Sequence, residues 1–470
     1  MTLKRLFCAI ALSAVLAGCG SSKAVREARH AQRMHDVAEM SSGKTDLRGC
    51  SLEQLVDFAL TNRPSMARAR LAVRDARLAL REIAADAPLI SSTPWGAFDA
   101  SASVGRSESS KAGRSLHGPT AGAGSGALSL DVLIYDFGRN KAAANAAAEE
   151  VIAAEVSLLD AGYSVFEDVS TGYFVLLRNE ALLEVAVSNV AEYAEHLAQA
   201  EMRMSCGEAK EIDVLMAKLD LANSVQDAVA ASNDVKTAGA DLMAALGVDA
   251  ASGDFRDVLG EINGGLPRMK RAFATTSGPV AEIFGFASTN ALSMQIARTR
   301  LKAASYQVDA AIANLYPTIS ANLSLDWTDP RWYWRWGANV AKSLFTGGRK
   351  TTAVKRATVA LDSAAHNVKS TELDLSREVE VAVAERDNAG EALVAARLSV
   401  RRAKENLDTV REQYNIGEAD RIDYTAAAAG YASALGDLVR SFYRGQMAEA
   451  KLFRVAGRTP EYREETTNEE

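Results

Sequence analysis

Tyr135-Asp-Phe-Gly-Arg139 and Phe345-Thr-Gly-Gly-Arg349 are similar stretches of this 470-residue chain, and they stand 210 positions apart. The same offset relates three further pairs of motifs: Cys206-Gly-Glu-Ala209 with Ile416-Gly-Glu-Ala419, Ile212-Asp213 with Ile422-Asp423, and Leu246-Gly247 with Ala456-Gly457. The register holds without insertion from residue 135 to residue 247 of the first copy. Four matches in one register predict a tandem duplication of a single structural unit.

Upstream of these motifs the register of the duplication shifts. Asn62 corresponds to Asn290 at an offset of 228, and Pro88 corresponds to Pro317 at an offset of 229. The change of offset from 229 to 210 means that the first copy holds 19 additional residues between its proline and its Gly-Arg turn. They fall in the glycine- and serine-rich stretch Gly105–Gly126, which predicts a loop.

Each copy carries a long apolar heptad pattern after its Gly-Arg turn. The seam residues step by three and four positions: Leu183, Ala186, Val190, Tyr193, Leu197, Ala200 and Met204 in copy one, and Leu393, Ala396, Val400, Ala403, Leu407, Val410 and Tyr414 in copy two. This spacing is typical of coiled-coil helices. It predicts helices over 138–205 and 348–415. At 1.5 Å per residue each would be about 100 Å long, which by itself indicates an elongated helical stalk.

Four segments alternate apolar and polar residues with period two, the pattern of strands that have one apolar face. They begin at Phe98, Leu128, Ile319 and Trp332. Each has roughly 9–11 residues, enough for a tilted strand across a bilayer. All the tryptophans lie in or beside these segments, as interfacial aromatics would: Trp95, Trp327, Trp332, Trp334 and Trp336. A soluble β-sandwich with one solvated face stays open as the alternative.

Four strands cannot close a barrel, and lipid tolerates no open strand edge. If these strands span a membrane, several chains must share one barrel, because the smallest bacterial barrels have about 8 strands. Two chains would give about 8 strands around an interior filled by side chains, whereas three would give about 12 and leave a lumen. A trimer therefore favours a conduit.

Composition and isolated motifs exclude several classes of function. The chain carries 53 lysines and arginines against 60 aspartates and glutamates, a net charge of -7 that argues against a nucleic-acid binder. His196 lies at helical spacing from Glu192 but has no second histidine nearby, so we expect a surface or packed histidine rather than a metal ligand. Gly122–Gly126 resembles a phosphate loop, but a strand follows it rather than a helix, so we expect a flexible loop. We predict no catalytic residue, no metal and no cofactor, and free thiols at Cys50 and Cys206.

The first residues predict an exported lipoprotein. Lys4 and Arg5 precede the apolar run Leu6–Leu16, which is too short to span a membrane and is typical of a signal peptide. Leu16-Ala-Gly-Cys19 resembles the bacterial lipobox, in which the cysteine becomes the lipid-bearing, palmitate-carrying first residue of the mature chain. An ordinary signal peptide cleaved near Gly18 is the alternative.

These features together resemble the TolC family of outer-membrane channel proteins, from about Ser51 to Pro460. The motifs that carry the resemblance are Pro88 and Pro317 before the strands, the turns Gly138-Arg139 and Gly348-Arg349 after them, and the hairpin motifs Met204-Ser-Cys-Gly207 and Tyr414-Asn-Ile-Gly417. The lipobox resembles the lipoprotein branch of the family. The expected divisions of the chain are a signal peptide (1–18), an N-terminal linker (19–50), a first repeat (51–248), an inter-repeat linker (249–278), a second repeat (279–460) and an acidic tail (461–470).

The resemblance implies an α+β membrane protein in which tandem-duplicated long helical hairpins form a trimeric α-helical tunnel. Four strands from each chain would contribute to one shared β-barrel of about 12 strands. Such a homotrimer would be the exit duct of a tripartite efflux or type I secretion system, lipid-anchored in the outer membrane of a Gram-negative bacterium with a large periplasmic part. Its implied partners are a periplasmic adaptor (membrane fusion) protein, an inner-membrane transporter and outer-membrane lipid. A lipid-anchored periplasmic coiled-coil adaptor stays open as the alternative, because long helical hairpins fit both.

The resemblance also places a gate at the turns between the paired helices. Gly207-Glu208 and Gly417-Glu418 would form the periplasmic tip that contacts the adaptor, and each glycine lets the chain reverse at a helix C-terminus. Asp423 from three chains would ring a narrow aperture and favour cations. Tyr414 would donate a hydrogen bond to Asp213 as a gate latch.

Two residues depart from the family pattern at this gate. Ala419 stands where some members carry an arginine that braces the closed gate, and Ala426 stands where some carry a second acidic ring. Asp213 and Asp423 also have an alternative role, since a carboxylate in the first turn stabilises a helix N-terminus.

Overall fold

A computed structural model of the chain describes residues 47, 49–86, 98–107, 123–207, 210–248, 256, 272–273, 279–328, 331–343, 345–416 and 418–458. Its helices and strands, in chain order, are α1 (Leu52–Asn62), α2 (Pro64–Ala85), β1 (Phe98–Ser107), β2 (Ala123–Tyr135), α3 (Arg139–Ser205), α4 (Glu211–Leu246), α5 (Val280–Asn290), α6 (Leu292–Ala313), β3 (Thr318–Thr328), β4 (Arg331–Ala341), α7 (Arg349–Asn415) and α8 (Arg421–Ala456). The chain divides into two compact units: the first contains residues 70–156 and 296–370, and the second contains 157–295 and the described residues of 47–69 and 371–458.

The order of the elements repeats along the chain, and so do the helix lengths. α1 and α5 each have 11 residues, α2 and α6 have 22, α3 and α7 have 67, and α4 and α8 have 36. No proline lies within α3 or α7, so no residue there lacks its backbone donor. Within the described ranges, no helix combines the length and the apolarity needed to cross a membrane. The two long helices predicted from the heptad pattern are confirmed, each beginning one residue later than expected.

The first unit contains one four-stranded antiparallel sheet in the order β1-β2-β3-β4. Leu130 of β2 pairs with Ala100 of β1 on one side and with Leu323 of β3 on the other. Leu323 in turn pairs with Trp336 of β4. The strand pair of copy one therefore lies beside the strand pair of copy two, and all four predicted strands form.

The sheet extends further than the sequence suggests. The stretch Gly105–Gly126, predicted to be a loop, contributes residues 105–107 to β1 and residues 123–126 to β2. The flexible loop expected over Gly122–Gly126 is therefore wrong for its last four residues. The reason is that β1 and β2 pair as far as Ser107 and Ala123, which gives these backbone N–H and C=O groups partners despite the many glycines.

Asp136 connects the sheet to the first long helix. The residue is 2% exposed, and its carboxylate accepts hydrogen bonds from the backbone N–H of Gly138 at 3.1 Å and of Asn140 at 2.7 Å. It therefore supplies acceptors to N–H groups that have no partner within the first turn of α3. Phe137 stacks on Tyr316 with ring centroids 5.3 Å apart, which packs the start of α3 against the residues before β3.

The second unit is helical and buries a cluster of aromatic side chains. Phe273 is 2% exposed and contacts the rings of Phe166, Phe174 and Phe453 at centroid distances of 5.8, 5.7 and 5.6 Å. Around this core α1 packs against α4, and α5 packs against α8. Phe273 lies within 249–278, the segment predicted to be a linker, so this residue belongs to the core. Burying a phenylalanine side chain contributes about 2 to 3 kcal/mol.

Candidate functional site

Short segments join α3 to α4 and α7 to α8, and two predicted tip residues, Gly207 and Glu418, are described there. Gly207 follows α3 with a φ of +82° and donates its N–H to the carbonyl three residues earlier at 3.0 Å. Glycine adopts this left-handed conformation without a Cβ clash, so the chain can turn toward α4. In the second turn Glu418 is exposed, and its N–H donates to a carbonyl in the last turn of α7 at 2.8 Å. Glu208 and Gly417 lie outside the described residues.

The two aspartates of the candidate gate cap the helices that follow the turns. Asp213 accepts a hydrogen bond from the backbone N–H of Lys210 at 3.1 Å, and Asp423 accepts one from the N–H of Asp420 at 3.4 Å. These are the contacts expected of first-turn carboxylates. A carboxylate has several acceptor positions, so this bond leaves each aspartate able to interact with ions.

Aromatic and charged side chains from all four long helices meet near these turns. We call this group the four-helix cluster; it comprises Glu192, His196 and Arg203 of α3, Asp220 of α4, Arg411 and Tyr414 of α7, and Arg421 and Tyr424 of α8. The His196 ring stacks on Tyr424 with centroids 4.9 Å apart and lies 5.5 Å from Tyr414. The two tyrosine rings are themselves 5.3 Å apart. All three side chains are buried, and His196 is fully so.

Glu192 connects three helices through one carboxylate oxygen. Its Oε1 accepts a hydrogen bond from the hydroxyl of Tyr424 and another from the guanidinium of Arg411. The bond to Glu192 raises the pKa of Arg411 above its ordinary value. Burial, and then the same carboxylate, raise the pKa of Tyr424. Both donors therefore keep their protons at neutral pH, and α3 stays bonded to α7 and α8.

The arginines Arg421 and Arg203 complete the connections. Arg421 of α8 bonds the Asp220 carboxylate of α4 at 3.0 Å. Arg203 donates to the backbone carbonyl of Tyr414 at 2.5 Å, and its guanidinium carbon lies 4.2 Å from the centroid of the same ring. A cation at this distance is attracted by the face of an aromatic ring. Each hairpin therefore contributes an arginine that bonds the other: Arg203 from the α3–α4 hairpin and Arg421 from the α7–α8 hairpin.

The predicted latch between Tyr414 and Asp213 is absent from this arrangement. Within the described part of the chain no hydrogen bond joins the two residues. The Asp213 carboxylate instead accepts from the N–H of Lys210, and the Tyr414 ring packs between Arg203 and the other rings of the four-helix cluster. Tyr414 thus contributes to joining the hairpins, but with partners other than the expected one.

Sequence reasoning identified Tyr414 and expected His196 to be packed or at the surface, and the structure shows it packed. It missed Glu192, Arg411 and Tyr424 as interacting residues. An arginine and a tyrosine stand three residues apart on α7 (Arg411 and Tyr414) and on α8 (Arg421 and Tyr424). This spacing places each pair on one helix face, which is a signal that these faces interact with other helices. Nothing local points to Glu192, which stands 219 residues before Arg411.

The predicted interfacial tryptophans whose side chains are described all lie on β4, the last strand of the sheet. Trp332, Trp334 and Trp336 of β4 are 47%, 69% and 83% exposed. In the backbone register Trp327 of β3 pairs with Trp332. Trp95 lies outside the described residues, as do Pro88 and the expected lipid attachment residue Cys19.

The Gly-Arg turns occupy the two strand-to-helix junctions. Gly138 and Gly348 have φ values of +84° and +79°, and Arg139 and Arg349 are the first residues of α3 and α7. Pro317 stands immediately before β3. The duplicated motifs thus mark equivalent changes of secondary structure in the two copies.

The described residues near the helix turns form contacts between helices. No three His, Cys, Asp or Glu side chains in these ranges are placed to hold a metal ion. Cys50 and Cys206, both within the described chain, carry free thiols. The four-helix cluster combines stacked rings, ion pairs and hydrogen bonds, and these contacts join the two hairpins.

Known proteins similar to this chain include outer membrane efflux proteins. The family model for outer membrane efflux proteins matches residues 55–248 and 286–458. The solvent efflux pump outer membrane protein SrpC of Pseudomonas putida is 33% identical over 90 residues, which span 19% of this chain and 19% of that relative. The outer membrane efflux protein BepC of Brucella suis is 22% identical over 342 residues, covering 70% of this chain and 71% of BepC.

The fold is likewise similar to that of solved outer-membrane proteins. The crystal structure of VceC from Vibrio cholerae superposes with a TM-score of 0.72 at 22% identity, over 86% of this chain and 96% of VceC. The CmeC outer membrane channel of Campylobacter jejuni gives a TM-score of 0.73 at 18% identity, over 86% of this chain and 85% of CmeC. Because the family model matches both copies and most of the chain, the protein belongs to the outer membrane efflux protein family.

Proposed function

We propose that the protein is the outer-membrane exit duct of a tripartite efflux or type I secretion system, a passive channel rather than an enzyme. The main structural support is the combination of long helices with an open sheet. Two 67-residue helices accompany a four-stranded sheet whose outer strands, β1 and β4, have no partner strand within the described chain. Membership of the outer membrane efflux protein family supports the same function.

The open sheet edges support a barrel that three chains share. β1 and β4 each leave one row of backbone N–H and C=O groups without a partner strand in the described chain, and hydrocarbon offers these groups no hydrogen bonds. Pairing β4 of one chain with β1 of the next would satisfy both edges. Three chains would supply about 12 strands, enough to enclose a lumen. The long helices of the three chains would then continue as a tunnel.

The two faces of β4 fit this arrangement. Trp334, Trp336 and Val340 share one face and are 69%, 83% and 65% exposed, as expected for side chains that contact lipid or its interface. On the other face Arg335 bonds Asp326 of β3 at 2.6 Å, as expected for a water-filled lumen. The strands have 10, 13, 11 and 11 residues, sufficient to cross a bilayer at a tilt.

The gate of the duct would lie at the helix turns. Three copies of Asp423, which is exposed, would form a ring that attracts cations, with Asp213 contributing negative charge at the neighbouring turns. Gly207-Glu208 and Gly417-Glu418 would contact the periplasmic adaptor. That adaptor would connect the duct to an inner-membrane transporter, which supplies the energy.

The remaining predicted residues would position the duct in the membrane. Cys19 would carry the lipid anchor in the outer membrane. The prolines and Gly-Arg turns would mark the boundary between barrel and helices: Pro88, Pro317, Gly138, Arg139, Gly348 and Arg349. Domain boundaries would follow the two repeats, 51–248 and 279–460.

Negative-stain electron microscopy of the detergent-extracted mature protein, combined with light scattering for its mass, tests the proposal. We expect a three-fold hollow tube with a helical section about 100 Å long and a belt of detergent around one end. A slender monomer or dimer without such a belt would contradict it and would favour the lipid-anchored adaptor. Carbonate extraction adds a second check, since a barrel stays in the membrane and an adaptor held by lipid alone is more readily released.

A further inference from the structure

His196 is a buried polar side chain without a hydrogen-bond partner. It is 0% exposed, and within the described chain neither ring nitrogen, Nδ1 or Nε2, has a partner. Leaving a buried polar group unsatisfied destabilises a fold, and an apolar ring of the same shape avoids this cost. Packing alone therefore does not explain an imidazole at this position.

Charged and titratable groups face His196 from every helix packed against it. They are Glu192 and Arg203 on its own helix α3, Asp220 on α4, Tyr414 on α7, and Arg421 and Tyr424 on α8. Arg411 of α7 bonds Glu192. Burial lowers the pKa of His196 below its ordinary value of 6.5, and Arg421 and Arg203 lower it further. Asp220 and Glu192 act in the opposite direction but do not reverse the shift. The ring is therefore neutral in the packed cluster.

The two carboxylates that could stabilise a protonated ring already have partners. Glu192 accepts from Tyr424 and Arg411, and Asp220 is paired with Arg421. A charged imidazole would have to displace one of these donors or reach water. A cavity of about 180 Å³ borders the cluster and is lined in part by Glu192 and Arg411. Either change breaks a contact between the α3–α4 hairpin and the α7–α8 hairpin.

We infer that His196 makes the four-helix cluster an acid-sensitive lock, in which protonation of the buried imidazole releases the α7–α8 hairpin from the α3–α4 hairpin. The lock is a property of the cluster itself. Its consequence, a gate that opens more readily in acid, rests on the proposed function.

The direction of the pH effect follows from the two states of the ring. In an opened cluster the ring meets water and regains its ordinary pKa of 6.5, whereas the packed state holds the pKa lower. The packed state thus binds fewer protons than the opened one. Its stability is complete above about pH 6.5 and is lost progressively as the pH falls below that value. Each unit of difference between the two pKa values favours opening by about tenfold.

Hydrogen–deuterium exchange of the full-length protein in detergent tests the lock directly. Peptides covering 190–205 and 410–428 are followed from about pH 7.5 to about pH 5, with exchange corrected for its intrinsic pH dependence. In the wild type we expect protection to fall progressively as the pH drops below about 6.5, because the packed state holds the pKa of His196 below its ordinary value. In His196→Phe and in His196→Leu, which cannot take up a proton, protection should not change with pH. His366→Phe is the matched control, because His366 lies exposed on α7 and should leave the wild-type response intact.

The lock is overturned if wild-type protection shows no acid dependence, or if both His196 variants keep the wild-type dependence. The wild-type result decides the first point even if neither variant folds. Conductance in planar bilayers separates the lock from the duct. If the protein forms conducting pores but its exchange does not depend on acid, the lock is wrong and the duct stands. If no sample forms pores, the duct is wrong, and the exchange experiment still tests the lock.

Discussion

Glu192 on α3 accepts a hydrogen bond from the hydroxyl of Tyr424 on α8. The bond joins the first copy of the duplicated unit to the second. Its equivalents at an offset of 210 would be Arg402 and Val214, which cannot form the same bond. The copies have therefore diverged where the two hairpins meet, although the helix lengths have stayed the same. We conclude that this contact occurs once, between the two hairpins, and is not repeated by the duplication.

The Glu192–Tyr424 bond should contribute measurably to holding the hairpins together. We expect Glu192→Gln and Tyr424→Phe each to weaken the packing by about 2 kcal/mol, since a bond to a charged group is stronger than a neutral one. The double variant should lose less than the sum of the two, because both single changes remove the same interaction. Hydrogen exchange of residues 410–428 at constant pH reports the losses.

A matched control for this pair is the exposed ion pair Arg402–Glu405, whose side chains are 72% and 56% exposed. Glu405→Gln should change exchange little, because pairs in water contribute about 0 to 1 kcal/mol. Strict additivity of Glu192→Gln and Tyr424→Phe would show that the two residues do not act on each other.

Asp423 should set the ion preference of the duct. Asp423→Asn removes three negative charges from the proposed ring, so we expect the cation preference measured from reversal potentials in a salt gradient to decrease strongly. The loss of the first-turn carboxylate should reduce helix stability by only about 1 kcal/mol. Asp437→Asn, further along α8 in an exposed pair with Arg440, serves as the control and should leave selectivity unchanged. An unaltered reversal potential in Asp423→Asn would remove the ring from the proposal.

The lipid anchor gives a prediction that does not depend on the gate. Cells grown with labelled palmitate should incorporate the label into the wild-type protein and into Cys50→Ser but not into Cys19→Ser. The barrel should keep part of the unlipidated protein in the membrane fraction, because strands and acyl chain anchor independently. Label retained by Cys19→Ser would place the lipid elsewhere or leave an ordinary signal peptide as the better account.

Local patterns were sufficient to predict the long helices and the strands. The heptad seam from Leu183 to Met204 and the alternation that begins at Ile319 each repeat over many residues, so neighbouring positions reinforce one another. The stretch Gly105–Gly126 was predicted less well. Its glycines favour turns when considered alone, but pairing with β1 and β3 extends β2 through residues 123–126.

The four-helix cluster and Phe273 illustrate what the sequence pattern leaves out. Glu192 and Tyr424 stand 232 residues apart, and no periodicity along one helix shows which helix faces it. Phe273 enters the core from a segment without helical or strand pattern, as a single aromatic residue among small and polar neighbours. Both depend on contacts between residues far apart in the sequence, and the match between the two copies does not predict such contacts.

Gly457 offers a test of one shared motif, the glycine that ends the last helix of each copy. It has a φ of +65°, and a Cβ added to it would lie 2.9 Å from the carbonyl oxygen of Asn290. The equivalent Gly247 has a φ of +77°, and a Cβ there would lie 3.1 Å from the backbone of Arg63. The duplicated Gly247 and Gly457 motifs thus meet the duplicated breaks after Asn62 and Asn290.

We expect Gly457→Ala to destabilise the protein by about 1 to 3 kcal/mol, because alanine is strained at positive φ and its methyl group would collide with the backbone. Gly430→Ala is the matched control on the same helix, since a methyl group at that position would meet no atom within 4 Å. There the helix interior should gain about 0.5 to 1 kcal/mol. Denaturant unfolding followed by circular dichroism in detergent gives both values. Equal effects of the two substitutions would mean that neither the positive φ of Gly457 nor its close approach to Asn290 constrains this helix end.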